Sequence, residues 1–240
     1  MTLNTYRTLQ YFYLTIRDRL ALLGESNMNY QEATFMKDAQ TVGQHIHSLL
    51  VSAGERYWDK FSGIATIPSG TEYSSLFPND TDEVAMIRRI WVLDGSSGNI
   101  LMPLRERRIG RSDKTTGTYP AYEVIDNKMY WFPVPVSTLS VKVEYVAAYD
   151  ASPATGTWSE DNQNWGGATA ANVVTKMGDK PDLPIYADDY FLNELTVRAA
   201  LATGRDPGGW MNIAMRSRES MILNAGRDVP KRKHVLYKGY

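Results

Sequence analysis

The chain has 240 residues, 43% hydrophobic and 22% charged, which is enough to bury a sizeable globular core. Its formal net charge of -1 argues against tight nucleic-acid binding over the whole surface, and the lack of cysteine excludes disulfides and thiolate metal sites. No apolar run approaches the roughly 18 residues that span a bilayer, so we expect a soluble chain with no membrane contact.

The first 56 residues have a helical period. Residues 5–23 carry apolar side chains at alternating spacings of four and three, and Gly24 follows as a stop. The members of this stripe are Leu9, Tyr13, Ile16, Leu20 and Leu23. A second stripe runs over residues 30–53 and ends at Gly54. Because each stripe must bury one face, residues 1–56 predict an N-terminal helical hairpin.

Residues 57–150 predict an antiparallel β module. "RRIWVLD" (88–94) is rich in β-branched and aromatic residues, which favour strands. In "YPAYEVIDNKMYWFPVPV" (119–136), two aromatic strands flank the link Asp126-Asn127, which predicts a hairpin. Within 139–148, two sets of side chains alternate between opposite faces, namely Val141, Val143 and Tyr145 against Lys142 and Glu144. This alternation predicts a strand with one solvent-exposed face.

The remainder divides into three parts. Residues 151–183 have no period and many turn-forming residues, so we expect a long loop that is ordered only by a partner. Residues 184–226 predict two helices, the first with an i,i+4 pair between Glu194 and Arg198. The second has Met211, Met215 and Ile222 on one side. Residues 227–240 predict an extended tail.

The expected fold class is therefore α+β. We expect an antiparallel helical bundle, built from the N- and C-terminal segments, with an antiparallel β module inserted between them.

The common catalytic signatures are absent from the sequence. It contains neither a phosphate-binding glycine loop nor a nucleophile elbow. His45 and His47 are two residues apart on a predicted helix and do not face each other, so they are poorly placed to share a metal. Asp188 and Asp189 fall at a helix start, where negative charge is favourable. We therefore expect no enzymatic activity, no cofactor and no metal.

The aromatic residues of 119–132 have two interpretations. They can stack on bases or sugars, or they can fill a half-buried sheet, which is the commoner role of strand aromatics. We expect Trp131 and Phe132 to be packing groups on which the β module depends.

The order of these elements resembles the head-to-tail adaptor proteins of tailed phages, also called connector or neck proteins, especially those of short-tailed phages. Pro120 and Tyr122 resemble the family's P-x-x-Y step with a spacing one residue shorter. "FPVP" (132–135) resembles its aromatic-Pro-x-Pro, and Val141 to Tyr145 its tyrosine-bearing strand. "IRRIWVLDG" resembles the strand that precedes the hairpin, whereas residues 151–183 are longer than the family pattern.

The resemblance implies a structural protein of the virion neck, assembled in the host cytoplasm. In this family a ring of about twelve copies lies under the portal and joins the capsid to a tail nozzle or tube protein. Genomic DNA passes through the channel without specific binding. Residues 105–114 are rich in Lys and Arg and 150–189 in Asp and Glu, which suits a head-to-tail contact between neighbours.

Two alternatives remain open at this stage. One is a tail-associated glycan hydrolase acting on the cell wall, and the other is a single-stranded nucleic-acid binder that uses the aromatic strand. A peptidoglycan turnover assay and a salt-dependent DNA titration discriminate these classes.

The C-terminal tail predicts a docking arm for the portal. Three basic residues supply charge that can steer the tail to an acidic surface, namely Lys231, Arg232 and Lys233. Four apolar and aromatic residues supply contact area, namely Val235, Leu236, Tyr237 and Tyr240. We predict that deletion of residues 227–240 leaves the fold intact but weakens attachment to portal rings. The docking arm would be refuted if the truncated chain bound portal rings with unchanged affinity and particles made with it still retained DNA.

Overall fold

The chain divides into two compact units. A computed structural model describes residues 7–20, 30–75, 84–95, 98, 100–104, 106, 120–125, 128–149, 158–159, 164–165 and 177–225. The helical unit is formed by Met1–Tyr57 together with Tyr149–Tyr240, and the sheet unit by Trp58–Ala148.

The described residues of the helical unit contain four α-helices: α1 (Leu9–Arg19), α2 (Glu32–Ser52), α3 (Asp188–Ala202) and α4 (Gly208–Asn224). A single 3₁₀ turn, Ile185–Ala187, leads into α3. Trp158–Ser159 pairs antiparallel with Asn164–Trp165. These helices confirm the predicted periodic segments, with ends that differ by a few residues.

Helix α3 is the centre of the helical unit, because α1, α2 and α4 all pack against it. Phe191, Leu195 and Ala199 are fully buried along its length. The ring of Phe191 meets Phe12 of α1 edge to face at 5.1 Å. Glu194 and Arg198 form the predicted pair at 3.6 Å, and Arg198 also reaches Asp38 of α2 at 3.5 Å.

The start of α1 is held by the end of the predicted loop. The backbone N–H of Leu9 donates to the carbonyl of Asp179 at 2.9 Å, and that of Gln10 donates to Met177 at 2.8 Å. Two otherwise unpaired donors of the helix N-terminus are thereby satisfied. The described residues 177–183 are thus part of the helical unit, whereas most of the predicted loop at 151–176 lies outside the described residues.

One glycine is required where the chain re-enters the helical unit. The Tyr149 ring lies against Gly43 of α2, and a Cβ at that position would overlap the ring. Burial raises the pKa of the Tyr149 hydroxyl, and the charge of Asp182 raises it further. Gly43 therefore provides the space in which α2 receives Tyr149, even though glycine is unfavourable within a helix.

The described strands of the sheet unit form two antiparallel sheets. The larger contains β1 (Asp59–Phe61), β2 (Ala65–Ile67), β4 (Val84–Leu93), β5 (Ile100–Pro103) and β8 (Leu139–Ala147). Its order is β1-β8-β4-β5, with β2 also paired to β8. The smaller sheet has the order β3-β7-β6 and contains β3 (Tyr73–Ser75), β6 (Ala121–Ile125) and β7 (Lys128–Phe132).

The core of the sheet unit draws on both sheets. Ile90, Val141, Val143 and Tyr145 come from the larger sheet. The smaller sheet contributes Tyr122, Met129 and Trp131. The indole N–H of Trp131 donates to the Ser74 hydroxyl at 3.2 Å, so its one polar atom is paired on burial.

Two expectations for these strands are wrong. Phe132 is 38% exposed, because side chains alternate along β7 and Trp131 takes the inward position at 2% exposure. Glu144 was expected on a solvent-exposed face of β8, yet it is buried. The Trp91 indole N–H donates to its carboxylate at 3.0 Å, so the large neighbour on β4 covers the acid and satisfies it.

The predicted architecture, a helical bundle with an inserted β module, is also wrong. In the described residues the chain is a sheet-rich α+β protein, in which eight strands form two antiparallel sheets alongside four helices. The long strands β4 and β8 give the sheets a core of their own, so they do not depend on a bundle. In the helical unit α1, α2 and α4 all pack against α3, and the Tyr13 ring of α1 also lies 5.2 Å from the Phe35 ring of α2.

The two neighbouring aromatic residues of β7 give a test of this packing. We predict that Trp131→Ala costs about 3–5 kcal/mol of unfolding free energy, because it leaves a cavity and unpairs Ser74. Phe132→Ala, which truncates an exposed ring, is expected to cost less than about 1 kcal/mol. Urea denaturation of both variants measures the difference, and equal losses would contradict the inward orientation of Trp131.

Candidate assembly surfaces

His45 and His47 have different neighbours. His47 is buried in α2 beside Tyr149, with ring centroids 6.0 Å apart, whereas exposed His45 lies 6.4 Å from Tyr190 of α3. Within the described ranges no three His, Cys, Asp or Glu side chains are grouped so that they can hold a metal ion. His234 lies outside the described residues.

The acidic pair Asp188 and Asp189 lies at the N-terminus of helix α3. Asp188 and Asp189 are its first two residues, where the helix dipole favours negative charge. Asp189 forms an exposed ion pair with Arg7 at 3.6 Å. Burial raises the pKa of Asp188 to about 6, while Arg7 lowers it and Asp189 raises it further. This arrangement orders the junction of α1 and α3.

Helix α4 exposes the face that the sequence predicts to be apolar. It packs on α3 through small and flexible side chains, with Ala214 and Met221 buried and the Ser217 hydroxyl accepting from the Asn193 amide at 3.2 Å. Met211 and Met215 point away and are 50% and 61% exposed. We define the α4 stripe as Met211, Met215, Arg218 and Ile222, which are spaced to lie on one helix face; the first three are exposed and Ile222 is partly buried.

A second exposed row runs along α1, opposite its buried residues. We define the α1 stripe as Tyr11, Leu14 and Asp18, which occupy positions i, i+3 and i+7. Tyr11 and Leu14 are 45% and 47% exposed. Their neighbours Leu9, Phe12 and Ile16 are fully buried, so the two faces of α1 are clearly separated.

The two arginines of α1, Arg17 and Arg19, contact other side chains of the helical unit. The Arg17 guanidinium lies 5.4 Å from the centre of the Tyr13 ring, and that of Arg19 lies 5.2 Å from the Trp210 ring. Arg19 also donates to the Asn193 side-chain oxygen at 2.8 Å. The outward face of α1 therefore presents the negative charge of Asp18 together with apolar area.

The smaller sheet has an outward face that is aromatic. The Tyr73 and Tyr130 rings lie 5.6 Å apart, and the Lys128 ammonium lies 4.8 Å from the centre of the Tyr73 ring. Phe132 belongs to the same face, because it alternates with buried Trp131 along β7. Of the four described aromatic residues in this stretch, Tyr122 and Trp131 belong to the core, and Tyr130 and Phe132 lie on the outward face.

The predicted docking residues of the tail lie outside the described part of the chain, which ends at residue 225. The α1 stripe was missed by sequence reasoning, although a signal exists: Tyr11 and Leu14 are apolar residues out of phase with the buried stripe. Tyr73 was missed because the short strand β3 carries too few residues to show a period.

No protein-family model matches the chain, and no curated protein matches it significantly. Among the residues that the structure describes, no helix is long and apolar enough to cross a membrane.

Asp188 gives a pH-dependent prediction. Because its folded-state pKa is raised from 3.8 to about 6, its contribution to stability is full below about pH 4 and is lost as the pH rises through 6. We expect Asp188→Asn to remove this loss, so that the variant gains stability over the wild type between pH 4 and 7. Urea midpoints across that range measure the gain, with Asp18→Asn on the exposed face of α1 as the control. A difference that shrinks as the pH rises would contradict the assignment.

Proposed function

We propose that this chain is a structural virion protein, a head-to-tail adaptor that forms a ring of about twelve copies under the portal of a tailed phage. In this role it links the capsid to the tail, and it has no enzymatic activity. Its partners are further copies of itself, the portal protein and a tail nozzle or tube protein.

The observation that carries this proposal is the exposed α4 stripe. A lone subunit leaves Met211 and Met215 in water, although α4 is otherwise anchored on α3. Completing the burial of a half-exposed methionine stabilises by about 1 kcal/mol. An apolar helix face of this kind is typical of a protein that buries it against a partner.

Two further features support a structural role. The formal net charge of -1 is compatible with a channel through which DNA passes without adhering. The buried polar groups described above, Glu144 and Asn193, are each engaged in hydrogen bonds that hold strands or helices together. These hydrogen bonds stabilise the fold, so the burial of Glu144 and Asn193 is explained without a substrate.

The aromatic face of the smaller sheet favours a second candidate, a single-stranded nucleic-acid binder. Tyr73 and Tyr130 supply stacking surfaces, and Lys128 supplies a cation beside them. Glu123 is paired directly with Tyr130 across the sheet, however, and its negative charge opposes a phosphate backbone at that position. We therefore rank this function below the adaptor.

The adaptor proposal is tested by measuring the mass of the full chain alone and with the portal protein encoded by the same genome. We expect a complex that contains about twelve copies of the chain on each portal ring. An unrelated phage portal is the control for non-specific capture.

Three outcomes would overturn the proposal. The first is failure to bind the portal in any salt condition. The second is peptidoglycan hydrolysis that a single carboxylate substitution abolishes. The third is tight, salt-dependent binding of single-stranded DNA that Tyr130→Ala weakens, which would favour the second candidate.

A further inference from the structure

We propose that neighbouring copies associate head to tail through the two exposed helix stripes. The α1 stripe of one copy (Tyr11, Leu14, Asp18) packs against the α4 stripe of the next (Met211, Met215, Arg218, Ile222). This contact rests on the proposed function, because it supplies the interface that closes an adaptor ring.

The apolar parts of the two stripes match in size and chemistry. Each has two large exposed side chains within about one helical turn, Tyr11 and Leu14 on α1 and Met211 and Met215 on α4. Flexible methionines adapt to an irregular partner, and a thioether makes favourable contacts with an aromatic ring. Spacings of three and four residues are those with which helices interlock.

The charges of the two stripes are complementary. Asp18 and Arg218 are both exposed, and neither forms an ion pair with another residue in the described part of the chain. The other exposed charges of α4, Arg216 and Glu219, have opposite signs and cancel. The Arg7 guanidinium lies 5.5 Å from the centre of the Tyr11 ring, but its charge is balanced by the ion pair with Asp189. Asp18 therefore sets the sign of the α1 stripe, and Arg218 sets that of the α4 stripe.

This charge complementarity favours the α1 stripe of a second copy as the surface that packs on the α4 stripe. Pairing two α4 stripes would bring surfaces of the same sign together, whereas α1 with α4 pairs opposite signs. A contact between two different surfaces of the same chain is heterologous, and such contacts close into rings when the rotation between copies permits.

The absence of cysteine from the chain allows a direct test. Leu14 lies four residues before Asp18, and Met215 lies three residues before Arg218. When the two helices run in the same direction and Asp18 meets Arg218, Leu14 therefore meets Met215. We expect the double variant Leu14→Cys/Met215→Cys to form a ladder of disulfide-linked oligomers on mild oxidation, with or without portal. Each single variant is expected to stay free of that ladder.

The matched control is Leu14→Cys/Ile213→Cys. Ile213 is 45% exposed on the same helix but lies about 160° around it from Met215, so no ladder is expected. Cross-linked dimers of Met215→Cys alone would indicate pairing of two α4 stripes and would overturn the proposal. A disulfide within one copy, seen as a monomer of altered mobility, would also overturn it.

Charge exchange provides an independent test in solution. Asp18→Lys and Arg218→Glu are each expected to weaken self-association about three- to tenfold at low salt, measured by sedimentation. An equimolar mixture of the two variants should restore it, because every alternating contact again joins opposite charges. Circular dichroism confirms that both variants remain folded.

The outcomes separate this inference from the adaptor function. Portal binding with full copy number, but without a ladder and without charge rescue, refutes the stripe contact and leaves the adaptor function standing. A ladder with charge rescue, but without portal binding, supports the stripe contact and refutes the adaptor function.

Discussion

Burial of helix α3 is the constraint on which the helical unit depends. Apolar side chains surround much of this helix, as expected for a helix enclosed by others, and α1, α2 and α4 cover it. The Asn193 amide ties two of these helices to it, since its oxygen accepts from Arg19 and its nitrogen donates to Ser217. Because the inner faces of α1 and α4 are used on α3, their outer faces are the ones left for other molecules.

The sheet unit follows a different rule, in which the large strands β4 and β8 are stabilised from within. Alternation along β8 directs Val141, Val143 and Tyr145 into a core shared with the smaller sheet. Its other face is partly covered as well, because the Trp91 indole shields and bonds the Glu144 carboxylate. The sheet unit therefore has a hydrophobic core of its own. The outward face of its smaller sheet is aromatic.

In the described residues the polar networks around Asn193 and Glu144 link helices or strands, and apolar rows on α1 and α4 remain exposed. In the described residues His47 lies beside Tyr149, Asp189 forms an ion pair with Arg7, and no three His, Asp or Glu side chains are grouped to hold a metal ion. The proposed assembly rests on two exposed rows, the α4 stripe with its methionines and Arg218 and the α1 stripe with Asp18. The adaptor proposal and the head-to-tail contact both depend on this division between buried and exposed faces.

The sequence by itself determined where the helices and most long strands lie, because their periods of 3.6 and 2 are local properties of the chain. It also determined the Glu194–Arg198 pair, which depends only on spacing along one helix. The sequence also determined the buried row of α1, which contains Leu9, Tyr13, Ile16 and Leu20, but it did not determine which row of α4 is buried. On α4 the row with Met211 and Met215 is exposed, because α4 packs on α3 through Ala214, Ser217 and Met221 instead. Only the tertiary structure decided this, since periodicity shows that a face is apolar but the neighbouring element determines whether that face is covered.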